Sequence, residues 1–534
     1  MLLIIYKSFH IWLKLDKNFN ISLYITFLNL KVVKMKSKIM LVKPPIHADA
    51  VFDPIRTTQP LGLWYIGSYL KEKGHDVTIL DTVMEGMDNK TMLTSETDYE
   101  TFSEQKHLDL ESLTAEEFVD KYSPHSSGEV SREIVRVGLS DGEILERIKE
   151  EDPEYVGISV FATCNHTPSI ELAKLIKENF PDIKIIAGGS HATDMAEKIL
   201  RDSDSSIDFC VKGDGQYVLE EIVQGLNPET GVAYLDNGKY VDKGEFRRIK
   251  MDEFSMLDSS LLENIVLPMP ATHTQDTNGR KYVDVMFSRG CKKRCEYCVA
   301  GSKKYGFDPL SLDKVEDQLI ELKEAGYEEL VLQDDDLLRD KEHFFGVLDL
   351  IQKHKLNWQD NGGIAIEDLD EEVIDKIIDN GLCNSLYVPF NPRNYKVNQA
   401  AGYATSHHHK KIERLKRLRE SGIYVYTSGI FGTDVQTKED VNSEIETYKN
   451  IIREGYVDQA LVFSVSHLPS TKNHELFGDD IINPDDFLGY SIFVPHAKTG
   501  TMSVKDVEVA VVKANQEYNG IQKHARDWGS SFPK

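Results

Sequence analysis

The sequence predicts two α/β units in tandem. A doubly wound parallel sheet of the Rossmann or flavodoxin kind comes first, then a partial (β/α)6 barrel of the TIM type, and a small helical region ends the chain. Three observations predict this. Strand-like and helix-like runs alternate in two series along the 534 residues, as parallel sheets with crossover helices require. Gly326, Gly381, Gly422 and Gly455 fall just past helix ends in the second series, where a left-handed residue is wanted. Cys291, Cys295 and Cys298 stand directly after the first strand of that series, where barrels carry their functional loops.

In the first series a strand is expected over 39–43, a helix over 61–73 and a strand over 77–80. Residues 85–131 then carry twelve Asp and Glu against three Lys, with little apolar periodicity. They read as a solvated, partly ordered insertion. Regular structure resumes with a helix over 141–149 and a strand over 156–161. A helix over 168–179, a strand over 183–187 and a helix over 194–201 follow, then a strand over 207–211 and a helix over 216–223. Residues 226–277 have mixed character and read as a linker. Six βα units come next, with strands near 283–288, 330–333, 363–367, 385–390, 424–431 and 460–466. Helices are expected over 313–324, 342–353, 371–379, 408–419 and 438–453. After 480 the pattern breaks into short helices and loops, a C-terminal cap over 481–534.

Composition sets bounds. Apolar and charged contents of 40% and 28% are those of a globular protein. A net charge of −26 argues against sequence-independent nucleic-acid binding, which needs a basic surface. Six cysteines in a chain this long point to a reducing, cytoplasmic setting, and Cys164, Cys210 and Cys383 read as small core residues. Residues 1–34 are apolar with scattered Lys. Their longest uncharged run is too short to span a bilayer. Two readings stand for them: an extension preceding a true start at Met35, or a weak interfacial helix.

The run Phe287-Ser-Arg-Gly-Cys-Lys-Lys-Arg-Cys-Glu-Tyr-Cys298 has the spacing C-x3-C-x2-C. Structural zinc wants four ligands, and no second Cys/His pair stands nearby. Disulfide pairing is poor for thiols this close in sequence. Three thiolates on one loop suit a [4Fe-4S] cluster with one iron left open. With Tyr297 just before the last cysteine, the run resembles the radical S-adenosylmethionine (SAM) enzymes. That resemblance covers about 278–480. It implies that the open iron chelates SAM, which electron transfer splits to methionine and a 5′-deoxyadenosyl radical. It also implies an electron donor such as flavodoxin or ferredoxin.

Polar residues at the end of the second barrel strand hold the SAM amino group in that family. Here the stretch is Gln333-Asp-Asp-Asp336, and a carboxylate suits an ammonium. Gln333, Asp334, Asp335 and Asp336, with Tyr297, are therefore implied to bind SAM. Arg393 fits either a carboxylate of SAM or substrate, or a surface position. His407-His-His409 reads as surface.

The strand ends of the first unit carry Ala162-Thr-Cys-Asn-His166, Gly188-Gly-Ser-His-Ala-Thr193 and Gly213-Asp-Gly-Gln216. Glycine there lets backbone approach a ligand, and doubly wound folds bind ligands at strand carboxyl ends. Together with Pro60-Leu-Gly-Leu63, these turns resemble the cobalamin-binding domain fused ahead of many radical SAM barrels. The resemblance runs over about 35–225 and implies cobalamin contacts at Leu61, Gly62, Thr163, Asn165, Gly188, Gly189, His191, Ala192, Thr193, Gly213, Asp214 and Gly215. No D-x-H-x-x-G motif supplies a lower cobalt ligand. His191 fits either the cobalamin face or a structural role. The two resemblances together imply a cobalamin-dependent radical SAM methyltransferase acting through methylcobalamin on an unactivated carbon of a small molecule. The alternatives are a non-methylating cyclisation or rearrangement, and a non-catalytic iron–sulfur or cobalamin-binding protein.

Overall fold

The computed structural model describes residues 36–53, 58–123, 132–244, 247–262, 279–291, 293, 295–302, 306–389 and 408–527, with two-residue strands at 14–15, 21–22, 125–126 and 129–130. The expected N-terminal extension, with those two short strands excepted, lies outside the described residues, as do 263–277 of the expected linker, Arg393 and His407.

The first unit is a seven-stranded sheet. Its five parallel strands are Lys38–Lys43, Asp76–Asp81, Tyr155–Ser159, Lys184–Gly188 and Phe209–Val211. Numbered along the chain, they lie in the spatial order 2-1-3-4-5. This is the doubly wound order whose switch point falls between the first and third strands. Helices start on strong caps: the Ser140 hydroxyl and the Glu143 carboxylate form a capping box. Helices cover both faces, one burying Met40, Val42, Ile158 and Ile185. The other face buries Leu41, Trp64 and Tyr65 in a cluster that runs on into Val283 and Val285 of the second unit.

Two expectations for this unit fail. The stretch expected as linker adds an antiparallel hairpin, Val232–Asp236 and Lys239–Asp242, to the sheet edge. The acidic insertion is folded. Lys90–Met92 pairs with Ile134–Val137, which pairs with Ile46–Asp49. Helices Tyr99–Ser112 and Ala115–Tyr122 bury Phe118, Val119 and Tyr122 against Val512. Val512 belongs to the last helix, Val504–Asp527, so the C-terminal region is one long helix as well as short ones. Ser123 Oγ donates to Glu508 Oε1 at 2.9 Å, and Gln516 Nε2 donates to the Leu110 and Leu113 carbonyls at 2.8 and 2.9 Å.

The second unit is a six-stranded, all-parallel sheet in sequential order: Tyr282–Val285, Glu329–Leu332, Asn357–Asp360, Cys383–Tyr387, Tyr424–Phe431 and Gln459–Ser464. Helices follow as expected, with one correction among the strands. The third is 357–360, and 363–367 is a turn. Gly326, Gly381, Gly422 and Gly455 all have positive φ.

The two units meet through buried polar pairing. Gln59 N donates to Asp284 Oδ2 at 3.0 Å, and Asp284 N donates to Gln59 Oε1 at 2.8 Å. Tyr65 Oη donates to the Met286 carbonyl at 3.1 Å. Gln59→Leu keeps the backbone donor to Asp284 Oδ2 but leaves the buried Asp284 N–H without its acceptor. At about 1–3 kcal/mol per orphaned group, a clear drop in the thermal midpoint is expected. A melting curve equal to the parent's would refute the role of this pair.

Candidate active site

The cysteine loop leaves the first barrel strand and folds back over the strand ends. Its start is fixed by the aspartates after the second strand. Asp334 accepts from Ser288 Oγ at 2.6 Å and from Phe287 N at 3.2 Å. Asp335 Oδ2 accepts from Gly290 N at 2.7 Å, and Gly290 has φ +87°. Gly362 lets this turn come close, since a Cβ there would lie 1.9 Å from the Asp334 carbonyl oxygen. Lys293 Nζ lies 2.6 Å from Asp368 Oδ2, and Asn473 N donates to the Glu296 carbonyl at 2.9 Å. The loop thus reaches from the first strand to the segment after the sixth.

Cys291, Cys295 and Cys298 are half-buried and in no disulfide. Burial, and then the Asp336 carboxylate, push the Cys291 thiol up to about 12. Burial, and then Cys298, push Cys295 up to about 11. Without a metal, Cys291 and Cys295 stay protonated at neutral pH. A bound metal supplies the positive charge that makes them thiolates. Among the described residues, no three His, Cys, Asp or Glu side chains converge on one point as a single ion needs. Three thiols on one loop suit a cluster, which spreads its cysteines over several irons.

The five residues expected to hold SAM have different places. Asp334 and Asp335 are occupied by the cysteine loop. Gln333 N donates to the Val285 carbonyl at 2.8 Å, and its Oε1 accepts from Asn361 Nδ2 at 2.8 Å. Asp336 is buried with Oδ2 3.6 Å from Cys291 Sγ. Burial raises its pKa. Tyr297 is half-buried in the turn between the last two cysteines. Asp360, the last residue of the displaced third strand, was missed by the sequence pattern. It is fully buried, and burial followed by the Asp334 charge pushes it up to about 8. An ordinary Asp titrates near 3.9, so the folded state holds an extra proton between about pH 4 and 8. Stability therefore falls as pH rises through that window. Asp360→Asn is expected to flatten this slope in urea unfolding from pH 5 to 8, and an unaltered slope would reject the assignment.

On the front sheet, the third, fourth and fifth strand ends are knitted together. Thr193 Oγ1 donates to the Gly189 carbonyl and accepts from Gly213 N, both at 2.9 Å. Gly188 and Gly62 have open space where a Cβ would stand. Phe161 is 70% exposed at the end of the central strand, an apolar face at the switch point. Leu61 and Gly62 open a helix there, Thr163 and Asn165 form a 3-10 turn, and Gly215 caps the next helix. These open strand ends fit a large flat cofactor. Two expected contact residues are otherwise engaged. His191, beside buried Ala192, has Nε2 3.0 Å from His166 Nδ1, and His166 Nε2 lies 3.0 Å from Asp202. Phe487 stacks on His166 at 3.8 Å. Burial pushes His191 down to about 3, which leaves it neutral. Asp214 accepts from Arg289 Nη1 at 2.8 Å and from Ile249 N at 2.7 Å. Arg289 sits two residues before Cys291, so this pair ties the fifth front strand end to the cysteine loop. No sequence signal marked Arg289 or Gln59 as docking residues.

Comparison with known proteins agrees with both units. Residues 130–223 match the B12 binding domain, and residues 285–447 match the radical SAM superfamily. An uncharacterized methyltransferase of Pyrococcus horikoshii is 24% identical over 425 residues, 78% of each chain. Cytidylyl-2-hydroxyethylphosphonate methyltransferase of Streptomyces wedmorensis is 25% identical over 360 residues, 61% of this chain and 60% of that one. An anaerobic magnesium-protoporphyrin IX monomethyl ester cyclase of Synechocystis is 24% identical over 278 residues, 49% of this chain and 42% of that one. The fold is shared with the radical SAM methyltransferase TsrM of Kitasatospora setae, solved with tryptophan and a SAM analogue. There the TM-score is 0.55 at 15% identity, over 84% of this chain and 76% of that one. No helix among the described residues is long and apolar enough to cross a membrane.

Proposed function

We propose that this radical SAM enzyme, which carries a B12 binding domain ahead of its barrel, moves a methyl group from SAM by way of cobalamin to an unactivated carbon of a small molecule. The observation that carries the reading is the Arg289–Asp214 pair at 2.8 Å. It links the strand ends of one unit to those of the other, which supports cofactor sites that face one another. Cys291, Cys295 and Cys298 would hold the cluster, Asp336, Gln333 and Tyr297 would meet SAM, and the strand-end glycines with Thr163, Asn165 and Thr193 would face cobalamin. The bound groups supply radical generation and methyl carriage, and the protein positions and shields them.

The protein's own work is positional. Asp334 and Asp335 set the cysteine loop, Gln59 and Asp284 hold the two units together, and Phe487 stacks on His166 beside the front strand ends. TsrM and the Streptomyces relative, both named as methyltransferases, support the small-molecule assignment. An external electron donor and a cytoplasmic setting belong to the same reading.

The cyclase relative favours a second reading, cyclisation without methyl gain. SAM labelled with deuterium in its methyl group separates the two. Holoenzyme supplied with reductant and cobalamin is expected to give a product carrying the labelled methyl. A product of unchanged carbon count would replace methylation with cyclisation.

A further inference from the structure

Polar side chains that the reading above does not use meet at the carboxyl ends of the fifth and sixth barrel strands. Thr433 and Asp434 follow Tyr424–Phe431, and His467 follows Gln459–Ser464. Val465 N donates to the Phe431 carbonyl at 2.9 Å and holds the two loops side by side. His467 is 1% exposed, and neither ring nitrogen has a hydrogen-bond partner. Thr433 is 7% exposed, and its Oγ1 has none either. The His467 backbone is pinned: its N donates to His496 Nε2 at 3.4 Å, and its carbonyl lies 3.0 Å from His474 Nδ1.

An unmade buried hydrogen bond costs about 1–3 kcal/mol. Orphaned buried atoms are rare and ask for an explanation. Three of them in two adjoining loops indicate a missing partner. His467 Nε2 lies 4.0 Å from Asp434 Oδ2. That is too long for a hydrogen bond, yet one polar atom can bond both at once.

Location and charge narrow the partner. The Glu296 carbonyl accepts from Asn473 N, which places the cysteine loop beside these residues. Burial, then the charges of Asp480 and Glu296, raise the Asp434 pKa. The nearby cation Lys498 pairs with Asp480 at 3.3 Å from an exposed position. The surroundings are therefore negative. An ammonium has three N–H donors and no acceptor, which suits a carboxylate, a hydroxyl oxygen and an imidazole nitrogen. An anionic group would meet three carboxylates.

We propose that His467, Thr433 and Asp434 form the subsite that anchors the amino group of a small-molecule substrate beside the cysteine loop. The assignment rests on the radical SAM reading. Its test uses holoenzyme with reductant and SAM, and the common L-amino acids and their decarboxylated amines as probes. Formation of 5′-deoxyadenosine and S-adenosylhomocysteine is the readout. At least one probe is expected to raise both by about 10-fold, and its N-acetyl derivative to raise neither. His467→Phe and Thr433→Val are expected to raise KM for that probe by about 10-fold, which is the loss of about 1.4 kcal/mol of binding. Equilibrium dialysis is expected to find SAM affinity within about twofold of the parent, a difference of about 0.4 kcal/mol.

The subsite is overturned if no amine stimulates the parent, if the N-acetyl form works equally well, or if the variants respond like the parent. Loss of SAM binding in both variants would move these residues to the SAM site. A parent that cleaves no SAM with or without probes overturns the radical SAM reading itself.

Discussion

Replacing any one of Cys291, Cys295 or Cys298 by Ala is expected to abolish iron loading and reductive SAM cleavage. In the proposed function each thiol is a ligand, and no other cysteine stands in reserve. Cys210 is fully buried with Sγ 3.8 Å from the Ala196 carbonyl, and Cys383 Sγ points to the Ser385 carbonyl at 3.7 Å. Cys164 Sγ lies 3.7 Å from Asn165 Oδ1 on the front sheet. Second-layer losses at metal sites already cost about 10–100-fold, so the loss of a ligand is expected to exceed about 100-fold in SAM cleavage. Cys210→Ser is the matched control and is expected to load iron like the parent. Normal iron content and SAM cleavage in all three loop variants would mean the loop holds no cluster.

The loop was legible because its chemistry is local: three thiols within eight residues, after an apolar strand. What depends on distant partners was not. The acidic insertion reads as solvated because its apolar residues, among them Phe118, Val119 and Tyr122, are few and spaced among carboxylates. Their partner is Val512, nearly four hundred residues away by the numbering. The third barrel strand was displaced for a different reason. Asn357-Trp-Gln-Asp360 is mostly polar, and its Gln359 and Asp360 are fully buried, whereas the apolar Ile364 and Ile366 beyond it sit in a turn. A barrel interior that stores polar groups defeats a pattern built on apolar alternation. The same inversion hid Asp360 and His467. Both are buried polar residues whose meaning appears only when neighbouring strand ends are seen together.

The run Gln333-Asp-Asp-Asp336 makes the sharpest division of labour testable. From sequence its members are alike, a set of carboxylates facing a cluster. In the fold, Asp334 is an internal acceptor for Ser288 and Phe287, while Asp336 lies against Cys291. Asp334→Ala orphans two buried donors at about 1–3 kcal/mol each and frees the root of the cysteine loop. Since 1.4 kcal/mol is a factor of ten, iron retention is expected to fall by about 10-fold or more in anaerobic gel filtration after reconstitution. Asp336→Asn keeps the volume and leaves the loop bonds intact. It is expected to hold iron like the parent and to bind SAM at least about 10-fold more weakly, because an amide lacks the charge that meets an ammonium. The two variants must therefore separate, one losing cluster and the other losing SAM. If Asp334→Ala kept its iron and lost SAM instead, the acceptor role would be wrong and the whole run would act as one SAM-binding surface. If Asp336→Asn lost iron, the contact with Cys291 would be part of what holds the loop, and the SAM amino group would need another partner.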